Sequence, residues 1–193
     1  KIDMKADVAI TLDDTTADLA DLKTIADATA GLVTATTVTA ATGSSSEAGA
    51  IFAAEGTAGD KIDMKADVAI TLDDTTADLA DLKAIADGTT GLVTATTVTA
   101  AMGSSSEGAA IFAAEGTAGD KIDMKADVAI TLDNATADLA DLKAIEDGTT
   151  GLVTATSVTS ASGSIAEAVE MLSTDEGTAG DKIDMKADVA ITL

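Results

Sequence analysis

Cysteine, proline, histidine, arginine, tryptophan and tyrosine are all absent from this 193-residue chain, and its only aromatic side chains are Phe52 and Phe112. Without cysteine there is neither a disulfide framework nor a thiolate metal site. Without histidine, cysteine or tyrosine, the acids, bases and nucleophiles of enzyme chemistry reduce to carboxylates, lysine, serine and threonine. Asp13 and Asp14 are adjacent in a turn and mostly face water, whereas a glycosidase pair needs two unlike environments to separate its pKa values. The aromatic platform for a sugar is missing as well. Composition therefore predicts a protein that is not an enzyme. No apolar run reaches the roughly 18 residues of a membrane-spanning helix, so no membrane insertion is expected. Positive charge is scarce: 11 lysines face 34 acidic residues, for a net charge of −23. Nucleic acid needs a basic surface that displaces counterions, and anionic membranes are disfavoured for the same reason. Divalent cations, a salty medium or a basic partner fit better, and mutual repulsion keeps long acidic arrays from clumping.

What the chain has in abundance is repetition. The segment KIDMKADVAITLD opens at Lys1, Lys61 and Lys121, and KIDMKADVAITL opens again at Lys182. The expected units are repeats 1–60, 61–120 and 121–181, with a fourth begun at 182–193. The first two copies differ only at positions 24, 28, 30, 42, 48 and 49. The third is one residue longer, through STDEGTAGD against AAEGTAGD, which a loop absorbs most easily. Self-similarity at a fixed period points to a stacked array in which each repeat covers its neighbour. It also speaks against an active site, which needs different residues in different places. Because Lys1 falls inside the pattern, the chain reads as an excerpt of a longer protein with any targeting signal elsewhere.

Within a repeat, Ile2, Met4, Ala6, Val8, Ile10 and Leu12 alternate with mostly polar residues. Strict period two predicts a half-buried strand, centred on Asp7 to Leu12. Thr15 and Asp18 have capping-box spacing, and Leu19, Leu22 and Ile25 recur at helical spacing up to a stop at Gly31. The Thr- and Val-rich run Leu32 to Ala40 predicts a second strand. Ser44 and Glu47 form a second capping box. It is clearest in the third copy, where Ser164 and Glu167 cap a run with Ile165, Ala168, Val169 and Leu172 at helical spacing. EGTAGD then turns the chain into the next strand. Each repeat is thus two strand–helix units, and strands alternating with short helices predict a parallel sheet. The predicted fold is an α/β solenoid, a stacked parallel sheet with short helices on one side and a thin aliphatic core.

Three segments, ADLADLKAI (137–145), LVTATSVTS (152–160) and GSIAEAVEML (163–172), give the chain its family likeness. It resembles the tandem-repeat regions of giant bacterial cell-surface proteins, such as those of marine cyanobacteria and their adhesin-like relatives. The resemblance covers the whole chain and implies an extracellular or cell-surface location and an extended structural role. It transfers no catalytic residue.

Oxygen ligands suit a hard cation, so calcium is the candidate cofactor, with Asp13, Asp14, Asp73, Asp74 and Asp133 as candidate ligands just after a strand. A second acidic group runs through Asp60, Asp63 and Asp67, repeated as Asp120, Asp123 and Asp127. Lys61 and Thr57 break the match to the glycine-rich calcium nonapeptide, and Asn134 replaces the second aspartate in the third copy. Acids at helix N-termini are also favoured by the dipole alone. Thr34 and Thr36, repeated as Thr94, Thr96, Thr154 and Thr156, are expected to share one strand face, which resembles the threonine ranks of ice-binding solenoids. Met4, Met64, Met124 and Met185 are expected in the core, with Lys5 and Asp7 on the opposite face.

Together these features predict a structural segment: a stalk, spacer or filament component in which repeats set length. Its expected partners are itself, through neighbouring repeats or end-to-end copies, and a surface or host-cell ligand. A calcium-dependent adhesive or ice-binding module using the Thr/Asp face is the alternative.

Overall fold

The computed structural model describes residues 6–54, 61–115, 121–174 and 182–193. Apart from Glu115, the EGTAGD turns fall outside these residues. Repeat two shows the pattern in full. Its first half holds β5 (Ile62–Met64), β6 (Ala69–Leu72), β7 (Thr76–Asp78) and α3 (Leu79–Gly88), and its second half β8 (Val93–Ala95), β9 (Ala100–Gly103) and α4 (Ser105–Glu115). Repeat one supplies β1 (Ile10–Thr11), β2 (Thr16–Asp18), α1 (Leu19–Ala28), β3 (Val33–Ala35), β4 (Ala40–Gly43) and α2 (Ser45–Ala54). Repeat three supplies β10 (Ile122–Met124), β11 (Ala129–Leu132), β12 (Thr136–Asp138), α5 (Leu139–Gly148), β13 (Val153–Ala155), β14 (Ser160–Ser162) and α6 (Ile165–Thr174). β15 (Ile183–Met185) and β16 (Ala190–Thr192) open the fourth.

Two helices per repeat agree with the sequence, but each predicted strand is divided. A turn at Ala66–Asp67 separates β5 from β6, closed by the Val68 N–H donating to the Lys65 carbonyl at 3.0 Å. A turn at Thr96–Thr97 separates β8 from β9 in the same way, with Val98 N–H donating to Ala95 at 3.1 Å. The Thr97 hydroxyl anchors that turn to the Leu72 carbonyl of the preceding half-repeat at 2.8 Å.

The helix start also differs. Thr16–Asp18 is a strand, and Asp18 rather than Thr15 is the N-cap, its Oδ1 accepting from Ala20 N–H at 2.8 Å. Asp78 and Asp138 repeat this bond at 2.8 Å. The second capping box forms as predicted: Ser44 N–H donates to Glu47 Oε2 at 3.0 Å while Glu47 N–H donates to Ser44 Oγ at 3.3 Å. The stop lies before the predicted glycine. Helix α3 ends at Gly88 with Thr89 as C-cap, and the Thr89 hydroxyl donates to the Val68 carbonyl at 2.7 Å while accepting from Gly91 N–H at 2.9 Å. Gly91 is needed for a close approach, because a Cβ there would overlap the Val68 carbonyl oxygen.

All strand pairs are parallel, and they form two five-stranded and two three-stranded sheets among the described residues. Every interior half-repeat pairs with its predecessor and its successor. The central strand of a first half is bonded on both sides: β6 runs beside β4 over Ala69↔Ala40 to Leu72↔Gly43, and beside β8 over Ile70↔Val93 and Thr71↔Thr94. Its flanking strands each serve one neighbour, β5 pairing with the preceding β3 and β7 with the following β9. Each first half therefore shifts the pairing along by one strand. The same shift recurs around β11, which lies between β9 and β13.

The core runs through every unit as small aliphatic side chains. Val68, Ile70, Val93, Ala95 and Val98 are fully buried beneath Leu79, Leu82 and Ile85 of α3, and Met64, Met124 and Met185 are buried as predicted, Met4 lying outside the described residues. Successive helices pack on one another from α1 to α6. Phe52 of α2 lies over Gly88 of α3, where an added Cβ would sit 2.5 Å from its ring, and Phe112 covers Gly148 likewise.

Candidate functional site

Chemistry-bearing side chains gather where a second half-repeat meets the next first half. The first turn of α2 has N–H groups with no intrahelical acceptor. The Ser44–Glu47 box satisfies part of that need, and the next half-repeat satisfies more. The Ser45 N–H and hydroxyl both donate to Asp74 Oδ2, at 3.0 and 2.6 Å. Asp74 lies between β6 and β7, so a helix is capped from the adjoining unit. The following joint uses an amide instead: Asn134 Oδ1 accepts from Ser105 N–H at 3.1 Å. The Asn134 Nδ2 donates to Ser105 Oγ at 3.0 Å and to the Thr136 carbonyl at 2.5 Å. In α6 the serine position is Ile165, which is 68% exposed.

The two joints differ in charge. Asp74 Oδ1 is buried and accepts no hydrogen bond. It borders an open cavity of about 550 Å³ lined also by Ser45, Asp78, Asp81, Met102 and Thr131. Burial, and then the charges of Asp78 and Asp74, push the Asp81 carboxyl above its ordinary range. At the Asn134 joint the cavity is about 390 Å³ and holds Asp138 and Asp141. The Asp141 carboxyl is raised by burial and then by Asp138.

Most of the lysine pairs among the described residues are local. Lys65 meets Asp67 and Lys125 meets Asp127 across the strand turns, and Lys186 lies 3.0 Å from Asp188. On helices, Lys23–Asp27 and Lys143–Asp147 are i,i+4 pairs at 2.7 and 2.8 Å. Hydrogen bonds from these lysines hold the Asp27, Asp67, Asp127 and Asp188 carboxyls below their usual range. Lys143 also reaches Glu170 at 3.1 Å, and bonds to Asp147 and then Glu170 raise its ammonium above its ordinary value. Glu146, buried where the earlier copies carry Ala26 and Ala86, pairs with Lys182 at 3.3 Å.

The candidate calcium ligands do not converge. Asp13, Asp14, Asp73 and Asp133 are exposed, and Asp74 is engaged with Ser45. Among the described residues no group of three or more acidic side chains is placed to hold a metal ion. Asp60 and Asp120 lie outside the described residues. Asp63 and Asp123 stand in register with Thr34 and Thr94. The threonine face is shorter than predicted, because Thr36, Thr96 and Thr156 sit in the turns. Register instead assembles the row Asp18–Thr42–Thr71–Thr94–Asp123, and a second row Asp78–Met102–Thr131–Thr154–Asp184.

Sequence reasoning overlooked the Ser45–Asp74 bridge. Its signal was present as a serine at the start of one helix and an aspartate or asparagine 29 residues later in two successive joints. Comparison of the chain with protein-family models, curated proteins and solved structures finds no match.

Proposed function

We propose that this chain is a segment of an α/β solenoid that serves as an extended stalk, spacer or filament component at a bacterial surface or outside the cell. The observation that carries this reading is the pairing scheme. Each half-repeat bonds to the half-repeat before it and the one after it, and the same registers recur around β6 and β11. In such an array, adding a repeat adds length without changing what is already built. The acidic surface, at −23 for 193 residues, keeps neighbouring arrays apart. The resemblance to giant surface proteins supports the location. In an array of this kind an uncapped end strand would offer its backbone to a further repeat or a second copy, a route to end-to-end association.

Small-angle scattering of chains carrying two, three and four repeats tests the reading. Two strand spacings per repeat predict a maximum dimension that grows by about 10 Å for each repeat added. A dimension that stops growing, or that grows as the cube root of mass, would overturn it.

The in-register hydroxyls of Thr42, Thr71 and Thr94, with Asp123 beside them, favour a second reading of this face as a calcium-dependent adhesive or ice-binding plane. Replacing Thr71 and Thr131 by lysine should then abolish adhesion or thermal hysteresis. Hysteresis no larger than that of a control protein, with a melting temperature indifferent to chelator, would remove it.

A further inference from the structure

We propose that position 74, and its counterpart 134, decides whether a joint between half-repeats responds to pH: the Asp74 joint tightens when its carboxylate cluster takes up a proton, and the Asn134 joint does not need one. The two joints are near copies, so the comparison is internal to the molecule. At the second, one atom of the Asn134 side chain accepts from Ser105 N–H and the other donates to Ser105 Oγ and the Thr136 carbonyl. At the first, Asp74 Oδ2 takes both Ser45 donors, which leaves Oδ1 as the counterpart of the asparagine nitrogen. That oxygen is buried and has no donor. An acceptor thus stands where the other joint has a donor, and a proton there would restore the missing bond.

The surroundings work in the same direction. Asp78 from β7 and Asp81 from α3 line the same cavity, and the rest of its lining, including Ser45 and Ser46 of α2, is uncharged. Asp78 is already satisfied as the N-cap of α3 by Ala80 N–H. Asp81 lies close over α2, since a Cβ on Gly49 would come within 2.5 Å of its Oδ1. Asp74, Asp78 and Asp81 therefore line one cavity with no lysine among its lining residues. The Asn134 cavity has two carboxylates, Asp138 and Asp141. The raised Asp81 carboxyl fits this arrangement, with Asp74 among its causes and no equivalent contribution at Asp141. For a carboxyl raised by folding, the associated stability is present below the ordinary aspartate range and is lost as pH rises through the raised value. The charged cluster therefore loosens the α2–α3 joint at neutral pH.

The test is a thermal unfolding series on the full chain from pH 8 to pH 4.5, with Asp74→Asn, Asn134→Asp and the exposed control Asp73→Asn. Asp74→Asn should raise the melting temperature at pH 8 by about 2–4 °C, the shift expected of one such interaction in a chain of this size, and the gain should shrink as pH falls. Asn134→Asp should lower it at pH 8 and recover towards acid, and Asp73→Asn should follow the parent. Exposed Lys–Asp pairs titrate alike in all four proteins and cancel in the differences. Hydrogen exchange at the first turn of α2 should slow in Asp74→Asn and identify the joint responsible. An Asp74→Asn melting temperature at or below the parent's at pH 8 would mean that the charged cap on α2 outweighs the orphaned oxygen. That result, or a difference independent of pH, overturns the proposal.

Discussion

The hydroxyl of Ser45 donates to Asp74 Oδ2 at 2.6 Å, so the first turn of one helix is completed by a residue 29 positions later in the next half-repeat. Local capping in this chain is thus also a contact between units. Removing it should loosen a joint as well as a helix end.

Replacing Ser45 by alanine deletes the hydroxyl but keeps the N–H bond to Asp74. We expect a loss of about 1 kcal/mol, the net value of one hydrogen bond at a partly buried site. Ser46, exposed and bonded through its hydroxyl only to Ser44, should change stability by less than about 0.5 kcal/mol when made alanine. Urea unfolding of the two variants separates a cap supplied across the joint from a surface serine. Equal effects would contradict the assignment.

Glycine should be tolerant or intolerant according to what its missing Cβ would meet. At Gly91 that atom would overlap the Val68 backbone carbonyl, which cannot swing aside. Gly91→Ala should therefore cost about 3 kcal/mol or more. At Gly88 the obstacle is the Phe52 side chain, so Gly88→Ala should be partly rescued by Phe52→Leu, with a coupling of about 1 kcal/mol in a double-mutant cycle. Ala28 occupies the Gly88 position in repeat one, and Leu172 the Phe52 position in repeat three. Strictly additive effects would exclude the packing explanation.

Glu146 and Lys182 form a pair in which one partner is buried and the other is partly exposed. Lys182→Ala should cost about 1–3 kcal/mol by leaving a buried polar group without its partner. The double variant Glu146→Ala with Lys182→Ala restores the alanine found at positions 26 and 86, and should be close to neutral or more stable than the parent. Thermal melts of both variants decide it. A double variant weaker than the single would show that the pair is a net stabilising bond.

Core and surface should separate cleanly despite similar chemistry. Leu82 is fully buried between helix and sheet, and Leu82→Ala should cost about 2–5 kcal/mol. Leu92, 47% exposed, should lose less than about 1 kcal/mol on the same change. Chemical denaturation measures both, and comparable losses would mean that Leu92 is covered in solution.

Several features were determined by the sequence alone: the tandem period, two helices per repeat, the parallel strands, the Ser44–Glu47 box, and the inward set Ile62, Met64, Val68, Ile70 and Leu72, though not Ala66, which the turn exposes. All follow from residue identity within a few positions, where periodicity and capping operate. The tertiary structure decided the rest. The turn at Ala66–Asp67 keeps the even-numbered side chains inward on both sides of it, so period two reads the same for one long strand as for two short ones. Asp18 displaced Thr15 as the cap because Thr16–Asp18 is held as a strand against Ala40–Thr42, a pairing that no local window contains. The one-strand shift at each first half and the Ser45–Asp74 bridge have the same origin. Both depend on hydrogen bonds between residues about one half-repeat apart, and a parallel ladder sets such partners by register between units rather than by neighbours in the chain.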